Sequence, residues 1–210
     1  MKPKNWKLCL IADVKVAGQR EIPFIIKESI QYGVTLIQLR AKKLNTLEFF
    51  GLALELSEIL KPKKVPFIIN DRIDVALSCD ADGVHLGPED MQLEYARKIL
   101  GNNKLIGITT NTVSEAIEAE NAGADYIGVG PIYFTSSKKK LRPLLGIEGL
   151  KKIREKVKVP ILAVGGIYAS NARDIITAGA DGVAVISSIL RAHDVKKATI
   201  DLREALKVKT

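Results

Sequence analysis

Short runs of aliphatic and β-branched residues alternate along this chain with longer stretches in which apolar positions recur at helical spacing. That alternation predicts repeated βα units and a parallel sheet. Eight runs read as strands: LCLIAD (8–13), VTLIQLR (34–40), PFIIN (66–70), DGVHL (82–86), KLIGITT (104–110), DYIGVG (125–130), PILAVGG (160–166) and DGVAVIS (181–187). Between them, Thr46 is predicted to open the helix LEFFGLALELSEIL, and Thr112 with Glu115 reads as a capping box.

A weak internal repeat supports the count: ADGVHL at 81–86, ADYIGV at 124–129 and ADGVAV at 180–185. Gly123 and Gly179 precede two of the three, as expected where a helix ends in a left-handed residue. Eight units close naturally into a (β/α)8 TIM barrel, an α/β fold. An open doubly wound sheet would need a GxGxxG fingerprint after its first strand, and LIADVKVAGQ has none. No linker divides the chain, so residues 1–210 read as one domain.

In a barrel the C-terminal ends of all strands meet at one rim, where barrel enzymes build their sites. Strand 2 brings Gln38 and Arg40 to one side, with Lys42 beyond them. These form either an internal polar network or a seat for an anionic or heteroaromatic substrate. Strand 3 ends in Asn70 and Asp71, and the loop after strand 4 carries Glu89 and Asp90. Two carboxylates on neighbouring loops suit a hard cation such as Mg²⁺ with a diphosphate in its shell. The same two residues could instead cap helices starting at Arg72 and Met91. His85 reads as a hydrogen-bonded barrel histidine. After strand 6, Thr135, Ser136 and Ser137 lead into Lys138, Lys139 and Lys140, a loop that would close on phosphate, or else a solvated lysine run. Gly165 and Gly166 where strand 7 ends, with Ile186, Ser187 and Ser188 where strand 8 ends, fit the recurrent phosphate cup of such barrels. One cup and one metal-diphosphate site imply two anionic substrates.

The composition narrows the class. A chain of 210 residues that is 47% hydrophobic and 27% charged can bury a sizeable core. Its longest apolar run falls short of the about 18 residues a membrane span needs, and MKPKNWKLCLIAD is too short in apolar residues for a secretory signal, so a cytoplasmic protein without a membrane partner is expected. Cys9 and Cys79 match neither a metal spacing nor a disulfide framework and read as reduced structural thiols. The net charge of +8 is spread over several helices without stacking aromatics, which argues against a nucleic-acid partner. Composition leaves a homo-oligomer open.

Taken together, QLRAK (38–42), INDR (69–72), DGVHLGPED (82–90), GADYIGVGPIY (123–133), TSSK (135–138), AVGGI (163–167) and AGADGVAVISSI (178–189) resemble the thiamine phosphate synthase family, which also contains the thiazole tautomerases. The resemblance covers nearly the whole chain. It implies a barrel that joins hydroxymethylpyrimidine diphosphate to thiazole phosphate with release of diphosphate. It also implies that Asp71 and Asp90 are Mg²⁺ ligands. Gln38, Arg40, Lys42, Asn70 and Lys138 match pyrimidine- and diphosphate-binding positions, with Thr109 near the pyrimidine. Thr135, Ser137, Gly166, Ile186 and Ser187 match the thiazole-phosphate cup. Arg40, Lys42 and Lys138 would stabilise the leaving anion. The chain departs from the family pattern at Pro88 (often Gln), Asn111 (often His), Phe134 (usually Pro) and Ser137 (commonly Thr).

Three rivals stand beside this reading. A thiazole tautomerase would need only the phosphate cup, and the loop after strand 5, TTNT, lacks the histidine of that branch. A non-catalytic sensor would bind product without turnover. Another phosphate-binding barrel enzyme should carry a catalytic Lys or Glu inside a strand, and none stands out.

Overall fold

The computed structural model describes residues 6–135 and 142–207. Eight parallel strands form a closed barrel in chain order: β1 (Leu8–Asp13), β2 (Leu36–Arg40), β3 (Phe67–Asn70), β4 (Gly83–Leu86), β5 (Leu105–Thr110), β6 (Tyr126–Val129), β7 (Ile161–Val164) and β8 (Gly182–Val185). Each strand pairs with the next, and β8 returns to β1 with Leu8 opposite Val183. The TIM-barrel expectation therefore holds. Outside the barrel run α1 (Val14–Ala17), α2 (Ile22–Tyr32), α3 (Thr46–Leu60), α4 (Ile73–Ser78), α5 (Leu93–Leu100), α6 (Val113–Asn121), α7 (Gly146–Lys156), α8 (Ala172–Thr177), α9 (Ser187–Leu190) and α10 (Val195–Ala205). Among the described residues no helix is long and apolar enough to cross a membrane.

Strands buried on both faces read as continuous apolar runs, because helices cover one side and barrel side chains the other. Accordingly β1, β3, β6 and β8 are buried at every position. The strands stop one or two residues short of several predicted ends. Gly165 and Gly166 adopt φ of +103° and +63°, which a strand cannot contain, and Ser187 already belongs to α9. Gly123 and Gly179 take the positive φ expected of them, +87° and +101°.

The barrel interior is filled around Tyr126. A Cβ on Gly107 would lie 2.1 Å from the Tyr126 ring, so β5 must be bare there for the phenol to fit. Tyr126 meets Trp6 edge-on with centroids 5.4 Å apart and faces His85 across the barrel. Both cysteines are buried and free, and burial pushes both thiols up, as suits packing residues.

Two helix starts differ from expectation. Asn45, not Thr46, caps α3: its side chain accepts from the Glu48 amide and Glu48 answers at the Asn45 amide, both at 3.0 Å. Thr112 does accept from the Glu115 amide, but the Glu115 carboxylate takes the Asn111 amide at 2.7 Å instead of closing the box on Thr112. Nor are Asp71 and Asp90 caps. The helices after them begin at Ile73 and Leu93, two residues beyond the expected starts in the second case and one in the first, with Arg72 and Gln92 at their N-caps and no side-chain cap bond. The carboxylates are thereby left for other contacts.

Candidate active site

The C-terminal rim opens into a cavity of about 660 Å³. One wall comes from β2, β3 and the loop after β4: Arg40, Lys42, Asn70, Asp71, Glu89 and Asp90. The opposite wall comes from the ends of β7 and β8: Gly165, Gly166, Ile186, Ser187 and Ser188. His85 and Thr109 lie between, and Thr135 and Arg142, both on the connection from β6 to α7, complete the lining. Of the residues expected at the site, Ser137 and Lys138 lie outside the described residues, as do Ser136, Lys139 and Lys140.

Arg40 is aimed by a residue that sequence reading passed over. In-register pairing of β1 with β2 sets Asp13 opposite Arg40, and the two side chains form an ion pair. Asp13 is only 1% exposed and also caps α1, accepting from the Lys15 and Val16 amides at 2.9 and 3.1 Å. A buried carboxylate with three donors is well compensated. Arg40 thus belongs to an internal ion pair and also lines the cavity. Gln38, two residues back, is buried against the Tyr126 hydroxyl and is not part of the cavity wall.

Asp71 is the most perturbed group on the rim. Its φ of +68° is unusual for a residue with a Cβ, and its amide is pinned to the His85 carbonyl at 3.0 Å. Burial, followed by hydrogen bonding to Asp90, raises its carboxyl to about 6, against the pull of Lys42. Lys42 Nζ sits 2.7 Å from Asp71. Asp90 is held by its own turn, accepting from the Gly87 amide at 2.7 Å. Two acids in mutual contact, one reluctant to ionise alone, form an oxygen-donor pair that a hard cation would relieve. Among the described residues no group of three or more His, Cys, Asp or Glu could hold a metal, so further ligands would have to come from water or substrate. The donor set fits that class of ion.

Across the cavity, a Cβ on Gly166 would strike the Phe134 carbonyl at 2.5 Å, so a glycine is needed both for the φ and for the close approach of 133–134. The Ser188 hydroxyl faces this region buried and without a hydrogen-bond partner among the described residues, as expected of a donor reserved for a ligand. His85 spans the floor, with Nδ1 3.1 Å from the Tyr126 hydroxyl and Nε2 2.9 Å from that of Thr109. As expected, it is a hydrogen-bonded barrel histidine, and it fixes Thr109 at the cavity wall.

A family model described as thiamine monophosphate synthase matches residues 8–189. The chain belongs to the thiamine monophosphate synthase family. Thiamine-phosphate synthases from Clostridium novyi and Clostridium acetobutylicum are each 47% identical to this family member, over 195 and 196 residues. Both alignments cover 93% of this chain, and 96% and 92% of the relatives. A solved structure of thiamine phosphate pyrophosphorylase from Pyrococcus furiosus superposes with a TM-score of 0.88 at 40% identity, covering 97% of this chain and 96% of that one. A 3-hexulose-6-phosphate synthase, at 19% identity and a TM-score of 0.69, shares the fold alone.

Two departures from the family pattern acquire a physical meaning. Asn111, where a histidine is common, is 5% exposed, and its amide donates to the Gly130 and Pro143 carbonyls, both at 3.0 Å. It locks the β5 and β6 ends together and is absent from the cavity wall. Pro88 does line the cavity, beside Glu89.

Proposed function

We propose that this chain condenses 4-amino-5-hydroxymethyl-2-methylpyrimidine diphosphate with thiazole phosphate, forming thiamine phosphate and diphosphate, in the cytoplasm. The observation that carries the reading is one cavity with two unlike poles: paired carboxylates beside cations on β2–β4, and glycines with hydroxyls on β7–β8. A diphosphate with its cation suits the first pole and a phosphate monoester the second.

In this reading the bond between the pyrimidine methylene and the diphosphate oxygen breaks, and the thiazole nitrogen forms the new C–N bond at that methylene. Asp71 and Asp90 would hold Mg²⁺, which when bound supplies charge neutralisation to the diphosphate. Arg40, oriented by Asp13, and Lys42, held at Asp71, supply cationic donors to the same oxygens. Lys138 is assigned the same role from its motif. Asn70 and Thr109 position the pyrimidine, with Gln38 acting through Tyr126 beneath them. Thr135, Ser137, Gly166, Ile186 and Ser187 seat the thiazole phosphate so that its nitrogen faces the methylene. No protein nucleophile is required, because departure of diphosphate generates the electrophile. Tautomerase chemistry is disfavoured because the loop after β5 carries Asn111 and no histidine, and the Asn111 side-chain nitrogen is taken up by two backbone carbonyls.

The deciding experiment measures diphosphate and thiamine phosphate together from the two substrates, with and without Mg²⁺, in wild type and Asp71→Ala. One-to-one, metal-dependent formation that the variant loses is the expected result. Folded wild-type protein that binds both substrates and yields no product would sink the proposal.

A further inference from the structure

The cavity wall contains one cation that the chemistry above leaves without a task. Arg142 follows a basic run in the sequence. In the fold it stands on the segment returning from β6 to α7, and its Nη2 forms an ion pair with Glu115 in the first turn of α6. The other Glu115 oxygen takes the Asn111 amide at 2.7 Å, and Asn111 in turn reaches the Pro143 carbonyl next to Arg142. Burial works against ionisation of Glu115, but the Arg142 bond and the amides outweigh it and hold its carboxyl below the usual range. One side of the guanidinium is therefore fixed.

The other side is not matched. Nη1 is buried with no hydrogen-bond partner among the described residues, although Arg142 belongs to the cavity wall with Gly130, Pro131 and Thr135. A guanidinium cannot shed its proton, so a buried donor group of this kind calls for an acceptor. A carboxylate on one arm and an unmatched amine on the other make a preorganised anion donor. The cavity is where an acceptor would enter.

We propose that Arg142 is a substrate-contacting residue whose Nη1 donates to a phosphoryl oxygen bound in this cavity, while Nη2 stays on Glu115. The proposal rests on the thiamine phosphate synthase reading for the identity of the anion. The diphosphate side is favoured, because α6 follows β5 and β5 pairs directly with β4, whose loop carries Asp90.

The test titrates inorganic diphosphate with Mg²⁺, and separately inorganic phosphate, into wild type, Arg142→Ala, Arg142→Lys and Glu115→Gln by calorimetry at fixed ionic strength. Arg142→Ala should weaken one of the two anions by about tenfold or more. Which anion weakens identifies the leaving-group side or the cup. Arg142→Lys should recover only part, because one ammonium cannot serve Glu115 and the ligand with fork geometry. Glu115→Gln keeps the donor and should bind the anion at least as tightly as wild type. Equal losses in Arg142→Ala and Glu115→Gln would make Arg142 a mere clamp and overturn the proposal, as would changes under about twofold for both anions in the Arg142 variants. Thermal unfolding of each variant checks the fold, and Arg142→Lys preserves the test if Arg142→Ala does not fold. Wild type that forms no thiamine phosphate would refute the functional reading instead, whatever the variants bind.

Discussion

Asp71 concentrates several costs in one side chain: a left-handed backbone, a contact with a second acid, and partial burial. Its folded carboxyl titrates at about 6, above the unfolded value of 3.8, so in metal-free protein its stability contribution is fullest below pH 3.8 and is lost as pH rises through about 6. Asp71→Asn, which keeps a residue tolerant of positive φ, should then be about 1 kcal/mol more stable than wild type at pH 7 and lose that advantage near pH 4, as read by urea unfolding without divalent ions. The same variant should retain under about 1% of product formation if the metal assignment is right. Asp13 is a structural anchor. Removing a carboxylate that is buried against Arg40 and two amides should cost about 3 kcal/mol in Asp13→Ala, and a loss under about 1 kcal/mol in denaturant melts would show that Arg40 needs no such anchor. The Asp13 carboxylate stands in plain sight at the end of LCLIAD. That Arg40 is its partner does not, because 27 positions separate the two and only the β1–β2 register sets them side by side.

At the level of elements, local rules located strands and helices well and their ends less well. The apolar runs mark buried strands, but a strand ends where its hydrogen-bonding neighbours end, which is a property of the sheet. The start of α3 offers a direct check. Asn45→Ala removes a two-way capping box and should cost about 1 kcal/mol, whereas Thr46→Ala, inside the helix, should change stability by less than about 0.5 kcal/mol in thermal melts. Both Asn45 and Thr46 are acceptable cap types, so composition could not choose between them. The Glu115 link between α6 and the segment before α7 has its own signature. Its folded carboxyl is held below the ordinary value of 4.5, so the link stabilises above that pH and fades as pH falls through the lower, folded value. Glu115→Gln should therefore flatten the acid limb of the stability profile, and an unchanged limb would show that the pair is idle.

For the whole molecule, closure of the barrel brings the two poles of the site into one cavity, so ligands of the two poles should report on each other and on the fold. Mg²⁺ with inorganic diphosphate, at about 100 times the dissociation constant, should add about 2.7 kcal/mol to the stability of wild type. A calorimetric scan of Asp71→Ala under the same conditions should lose that gain, and an undiminished shift would place the diphosphate elsewhere. The eight-fold alternation, the repeat with its turn glycines, and the rim position of Arg40, Lys42, Asp71, Asp90 and Gly166 were all legible in the sequence, because periodicity and turn geometry are short-range properties. Tertiary structure decided the pairing: Asp13 with Arg40, Lys42 with Asp71, Asp71 with Asp90, and Arg142 with Glu115. Those contacts join different βα units, and the distance between such units is set only when the sheet closes on itself.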